Sequence, residues 1–183
     1  EQLARGAAQT GDAYQELLAE GARYASQQDW RRDARACREA IALRPDEPYA
    51  YHSLGAALAN SAHYVEAAQR YLEAKERYPV GSEGCAIATS EAFDVLGREE
   101  CAELAKPEWW NDEGLKALSA RVVRAAPDDA TANRMRALVL SDLLSEWAAG
   151  PRYERAAALQ TAPAMKAGNA DLAARCRTMA EDM

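Results

Sequence analysis

One repeat length limits what this chain can fold into. When residues 14–47 are set against 48–81, landmarks recur 34 positions apart: Gly21 on Gly55, Ala22 on Ala56, Tyr24 on Leu58, Trp30 on Tyr64, Ala40 on Ala74 and Pro45 on Pro79. A self-similar unit of about 20–50 residues marks a stack of small elements, each burying its apolar face against the next. Within the second unit, Tyr51, Leu54 and Leu58 share one helix face by i, i+3, i+7 spacing. Tyr64, Ala67, Tyr71, Ala74 and Tyr78 do the same on a second helix, and residues 59–63 are polar enough to turn between them. Gly55, Ala67 and Ala74 let two antiparallel helices approach closely, while Tyr51, Leu54 and Tyr71 fill the space beside them. Pro48 suits the first turn of a helix, and Pro79 stops one.

Composition points the same way. Alanine supplies 43 of 183 residues and aromatics only 7%, so helix formers dominate and an all-β or α/β domain is disfavoured. The formal net charge of −7 argues against nucleic-acid binding, because phosphate contacts need a basic face. No apolar run approaches the roughly 18 residues of a membrane span. Cys37, Cys85, Cys101 and Cys176 are far apart with no CxxC spacing, which reads as buried thiols in the cytoplasm or another reducing compartment. The chain begins with Glu, consistent with a processed or truncated N-terminus, so an organelle stays open.

The second unit resembles a tetratricopeptide repeat (TPR). Tyr51 stands at the usual Trp position, followed by Leu54, Gly55 and Leu58, then Ala67, Tyr71, Ala74 and Pro79. In the first unit Gly21, Tyr24, Ala40 and Pro45 match, whereas Glu20 and Asp33 sit where Leu and Ala are expected. Beyond residue 81 the period loosens. Cys85 to Leu96 reads as a helix, Glu99 to Ala105 as a short one, and Leu115, Leu118, Val122 and Val123 as a displaced second helix ended by Pro127. Pro127-Asp128-Asp129 echoes the Pro45-Asp46-Glu47 junction. Met135, Leu138, Val139 and Leu143 then begin a fourth unit, in which Asn133 replaces the large first anchor. Tyr153 to Leu159 completes that unit, and Leu172, Cys176 and Met179 would close the last apolar edge.

The expected fold is all-α, a right-handed α-solenoid of antiparallel helix pairs in a single TPR-like domain over residues 1–183. Its parts are repeat 1 at 14–47, repeat 2 at 48–81, irregular repeat 3 at 82–129 with an insert at 98–112, repeat 4 at 130–163, and a capping helix at 164–183.

The resemblance implies a non-catalytic interaction module that binds a peptide or partner helix in a concave groove. Carried over by position, it places Gln15, Leu18, Ala22, Tyr49, His52, Ser53, Ala56, Asn60, Ile87, Ser90, Arg134 and Met135 on that groove. Tyr49 and His52 suit stacking on, or hydrogen bonding to, an inserted side chain. Carboxylate-gripping TPRs use Lys, Asn and Arg at fixed groove positions. Leu18, Ala22 and Ser53 at the first three of those positions, with an acidic third unit, disfavour a ligand held by its C-terminal carboxylate.

Charge is uneven. Residues 14–81 sum to −1, 82–129 to −6 and 130–183 to +1. The acidic insert, with Trp109 and Trp110 beside Glu108 and Asp112, is a candidate second docking patch for a basic partner. The plainer reading is a solvated loop whose tryptophans pack on neighbouring helices. Arg31, Arg32, Arg35 and Arg38 read as a solvated convex face.

No catalytic motif, metal-ligand spacing or cofactor fingerprint is legible, so neither an enzyme nor a cofactor or metal site is expected. The acids around Cys101 would raise its thiol pKa rather than activate it. The alternatives to a binding scaffold are a permanent structural subunit of a larger assembly and a regulatory segment of a longer enzyme.

Overall fold

A computed structural model describes residues 2–143, with side chains from 13 to 140, together with Ala170. Seven α-helices and one short 3-10 turn make up residues 2–143, and no described residue is in a strand. The helices are α1 (Gln2–Ser26), α2 (Trp30–Leu43), α3 (Pro48–Asn60), α4 (Tyr64–Arg77), α5 (Glu83–Leu96), α6 (Asp112–Ala125) and α7 (Ala130–Leu143), with the 3-10 turn at Glu99–Cys101. The second half of repeat 4 and, apart from the helical Ala170, the capping helix expected at 164–183 lie outside the described residues.

The sequence period is written into the backbone. In the α1–α2 turn, the Asp29 N–H donates to the Tyr24 carbonyl at 3.0 Å; in the α3–α4 turn, the His63 N–H donates to Leu58 at 2.9 Å. Gln28 and Ala62 take left-handed φ values of 59° and 62° at the same place in each turn. All three pairs stand 34 residues apart. This is the usual way to end a helix and reverse the chain, with glycine's customary position filled by other residues. Asp29 also caps α2, its side chain accepting from the Arg32 N–H at 3.2 Å.

Two compact units divide the chain: the first runs to Tyr78 and adds Val95–Glu103, and the second holds Pro79–Asp94 and the chain from Leu104 onward. In the first unit, α1 packs on α2, α2 on α3 and α3 on α4. Ala40, Ala50, Ala57, Ala67 and Ala74 are wholly buried, so the helices meet through methyl groups with Leu54, Leu58 and Tyr71 packed between. Gly55 sits against Tyr71, where a Cβ would lie 2.8 Å from the ring Cδ1. The Tyr51 hydroxyl donates to the Pro45 carbonyl at 2.9 Å, and Arg77 donates to the same oxygen while its guanidinium lies 3.9 Å from the Tyr51 ring centre. That carbonyl, at the α2–α3 junction, is thereby fixed from two sides.

In the second unit, Ala86 of α5, Leu118 and Val122 of α6, and Ala132 and Met135 of α7 form one core with Ala126. The α6–α7 junction is held by a different residue doing the same work. Asn133 donates through Nδ2 to Pro127 O at 2.9 Å and to Asp129 O at 2.8 Å. Tyr51 and Asn133 each reach the proline carbonyl six residues upstream.

The insert differs from expectation. A helix over Glu99–Ala105 is replaced by a single 3-10 turn at Glu99–Cys101, and the chain is irregular from there to Asn111. Arg98 at the turn's start gives no side-chain cap, Glu99, Glu100 and Glu103 crowd like charge, and Pro107 bars continuation. The buried Cys101 anchors the turn, and the Arg98 guanidinium lies 4.3 Å from the Tyr64 ring centre. Regular helix resumes at Asp112, capped by Asn111, whose side chain accepts from the Gly114 N–H at 2.9 Å. Only glycine fits there, because a Cβ would stand 2.5 Å from the Trp109 carbonyl oxygen.

Candidate functional site

Three helices of the first unit leave an open cleft of about 310 Å³. Leu18, Ala22 and Ala25 come from α1, Asp33 and Cys37 from α2, and Tyr49, His52, Ser53 and Ala56 from α3. Small side chains create the space. Gly21 faces α2 with no Cβ, and one placed there would lie 2.9 Å from Asp33 Oδ1 and 3.7 Å from Cys37 Sγ. Tyr49 projects from the rim, 55% exposed. His52 is half-buried, its ring centre 5.5 Å from that of the buried Tyr71.

The walls are mostly apolar, and a carboxyl group is buried among them. Asp33 is 5% exposed and Cys37 1%, and the Cys37 thiol donates to Asp33 Oδ1 at 3.4 Å. Burial raises the Asp33 pKa above the ordinary 3.8, with the thiol's hydrogen bond a smaller opposing effect. Cys37 is pushed up to about 12, by burial first and then by the adjacent Asp33. The thiol therefore stays protonated and is a poor nucleophile.

Six of the expected groove residues meet in this cleft: Leu18, Ala22, Tyr49, His52, Ser53 and Ala56. Gln15 and Asn60 are exposed on α1 and α3 outside its lining, and Asn60 Nδ2 donates to the Ala56 carbonyl at 2.9 Å. The four expected in the second unit are arranged differently. Ser90 is wholly buried, and its hydroxyl donates to the Ile87 carbonyl. Met135 is 1% exposed inside the α5–α6–α7 core, against which the half-buried Ile87 also packs. Ser90 and Met135 are thus corrections to the expected surface: Met135 is enclosed by Ala86, Leu118 and Val122, and the Ser90 hydroxyl is satisfied within its own helix. Arg134 pairs with Asp94 across α7 and α5. Nearby, the Thr131 hydroxyl donates to Glu91 at 3.3 Å. Burial first, and Asp129 second, raise the Glu91 pKa.

In the insert, Trp109 and Trp110 are half-buried while Glu108 and Asp112 are exposed. Trp109 packs on the second unit's core, and Trp110 stacks on Phe93 with ring centres 5.2 Å apart. Lys106 Nζ lies 5.2 Å from the Trp110 ring centre. Arg31, Arg32, Arg35 and Arg38 are all exposed, and three of them meet acids: Arg32 with Asp29, Arg35 with Glu39 and Arg38 with Glu66.

Asp33 and Cys37 join the site beyond the positions that the repeat pattern assigns to it. The signal for Asp33 is the mismatch itself, an acid where the repeat pattern has alanine. Among the described residues, no group of three or more His, Cys, Asp and Glu could hold a metal ion, and no helix is long and apolar enough to cross a membrane.

No family model matches the chain, and no curated protein matches it in sequence. Solved structures do resemble it. TTC0263, a thermophilic TPR protein of Thermus thermophilus, superposes with a TM-score of 0.63 at 20% identity, over 87% of this chain and 80% of that one. The MamA protein gives a TM-score of 0.60 at 12% identity, over 94% of this chain and 86% of its own. At such identities the likeness speaks for fold alone, and the fold is that of the tetratricopeptide repeat, all-α and built of paired helices.

Proposed function

We propose that this chain is a non-catalytic protein-binding scaffold that holds a peptide or helical segment of a partner in the cleft between α1, α2 and α3. One observation carries the reading: six residues assigned to the groove by repeat position converge on one cleft, with apolar walls and an exposed tyrosine at its rim. Such a surface suits a side chain inserted from a partner, because buried aromatic and aliphatic contacts dominate interface energetics. The chain is best read as four TPR-like units, the third stretched by its insert. α6 begins 48 residues after α4, which is the 34-residue period plus 14 more.

The insert is a second docking patch under the same reading, with Trp110 and the exposed Glu108 and Asp112 meeting a basic partner. Support is indirect: both tryptophans keep accessible surface, and the local charge is strongly acidic.

The test is binding of a peptide selected on the full chain from a displayed random library. The Tyr49→Ala/His52→Ala variant should weaken that binding about tenfold or more while circular dichroism stays unchanged. Unaltered affinity in the folded variant would remove the cleft from the binding surface.

A further inference from the structure

Asp33 is an expensive residue for its place. A buried carboxylate is destabilising unless it is paired and hydrogen-bonded. Here its one recorded partner is a thiol, a weak donor, at 3.4 Å, and among the described residues no cationic side chain forms an ion pair with it. Asp33 nonetheless belongs to the lining of an open cleft, so a group entering the cleft comes up against it. At this position of the repeat pattern an alanine would cost nothing electrostatically.

Resting on the cleft as the binding surface, we infer that it takes a cationic side chain of the partner segment, arginine in preference to lysine, with Asp33 as its counter-ion. The chemistry of the lining matches each part of that side chain. Leu18, Ala22, Ala25 and Ala56 form an apolar wall for the aliphatic stem. Tyr49, 55% exposed at the mouth, offers its ring to the partner segment that carries the side chain in. Asp33 supplies the only formal negative charge in the lining, and no Lys or Arg belongs to it, so nothing within the cleft repels an incoming cation. A planar guanidinium is more weakly hydrated than an ammonium and can make two parallel hydrogen bonds to a carboxylate, which is the basis of the preference.

The experiment compares the full chain with Asp33→Ala, a substitution that restores the residue usual at this repeat position and removes an uncompensated buried charge, so the variant keeps its fold. Displayed random peptides are selected on the wild-type protein. The best binder is synthesised with arginine or with citrulline, its neutral near-isostere, and affinities are read by fluorescence anisotropy. Selected sequences should share a basic position flanked by apolar residues. Citrulline should weaken wild-type binding about tenfold or more, and Asp33→Ala should reduce that discrimination to about twofold or less.

Binders without a shared basic position, or discrimination that survives in Asp33→Ala, would overturn the inference. If Tyr49→Ala/His52→Ala abolishes binding while citrulline is tolerated, the cleft remains the binding surface and only its cationic preference falls. If no peptide binds, or binding ignores Tyr49 and His52, both readings fail together. A dimer in sedimentation that is lost in Asp33→Ala would show that the occupant is a second copy of the chain, which also refutes a partner segment.

Discussion

Replacing Gly55 with alanine adds one methyl group, and the structure says where it would go. Its Cβ would stand 2.8 Å from Tyr71 Cδ1, 2.9 Å from Cε1 and 3.1 Å from Cγ. Tyr71 is 3% exposed and lies against His52, so the ring cannot swing into solvent and α3 must move from α4. Overpacking of this kind costs about 1–3 kcal/mol. Alanine in a helix interior recovers about 1 kcal/mol over glycine, leaving a net loss of roughly 0–2 kcal/mol. The net value is a weak test because two effects oppose each other. A double-mutant cycle separates them. In a Tyr71→Leu background the ring is gone, and Gly55→Ala should become stabilising by about 1 kcal/mol, giving a coupling of about 1–3 kcal/mol between the two sites. Urea denaturation followed by far-ultraviolet circular dichroism measures all four proteins. Equal effects of Gly55→Ala in both backgrounds would mean that the helices do not approach through this pair. Because Tyr71 packs on His52, the same substitution should also weaken peptide binding in the cleft.

Other substitutions probe the junctions and the buried acid. Ala62→Gly should stabilise the chain by about 0.5–1 kcal/mol in urea denaturation, since a left-handed φ of 62° strains an alanine and not a glycine. Asn133→Ala should cost about 2–3 kcal/mol, because it strips the hydrogen-bond donor from the Pro127 and Asp129 carbonyls and leaves a small cavity. Asp33→Asn should stabilise the protein at neutral pH and change the slope of stability with pH. The folded-state pKa of Asp33 is raised above 3.8, so the folded protein takes up its proton before the unfolded chain does. The penalty for ionised Asp33 is therefore full above the raised value and fades as pH falls toward 3.8, and denaturant titrations across that window should show wild type gaining on the variant. The other titratable groups lining the cleft, Cys37, Tyr49 and His52, are unchanged in the comparison.

Some of this arrangement could be read in the residues because the physics is local and repeats. Gly21 and Gly55, 34 positions apart, announce close helix contacts, and in both places a Cβ would meet the facing helix within 3 Å. Other features were hidden because different side chains perform one task. Gln28 and Ala62 take a conformation that glycine usually signals, so neither turn advertises its geometry. Asn133 looks like the loss of an aromatic anchor, yet it makes the junction bond that Tyr51 makes through its hydroxyl. Carrying the 34-residue period onward places Ser90, before the insert, and Met135, beyond it, on a surface, and both are buried. Met135 is taken up by contacts with Ala86 of α5 and with Leu118 and Val122 of α6, partners that its position in the repeat does not name.

Asp33 belongs to neither group. Local pattern, burial and electrostatics agree nearly everywhere in the first unit, as they do in chains selected for a single fold. At Asp33 they disagree: the acid stands at an alanine position and its carboxyl is buried with a thiol as its hydrogen-bond partner. A residue whose burial opposes folding needs some other reason to be there, and its position in the lining of the cleft supplies one. Stability and binding should accordingly move in opposite directions on substitution. Asp33→Ala should unfold at higher urea than wild type while losing its preference for a cationic ligand. A variant that loses both together would mark Asp33 as part of the scaffold, and one that gains stability without altering ligand choice would leave its charge unexplained.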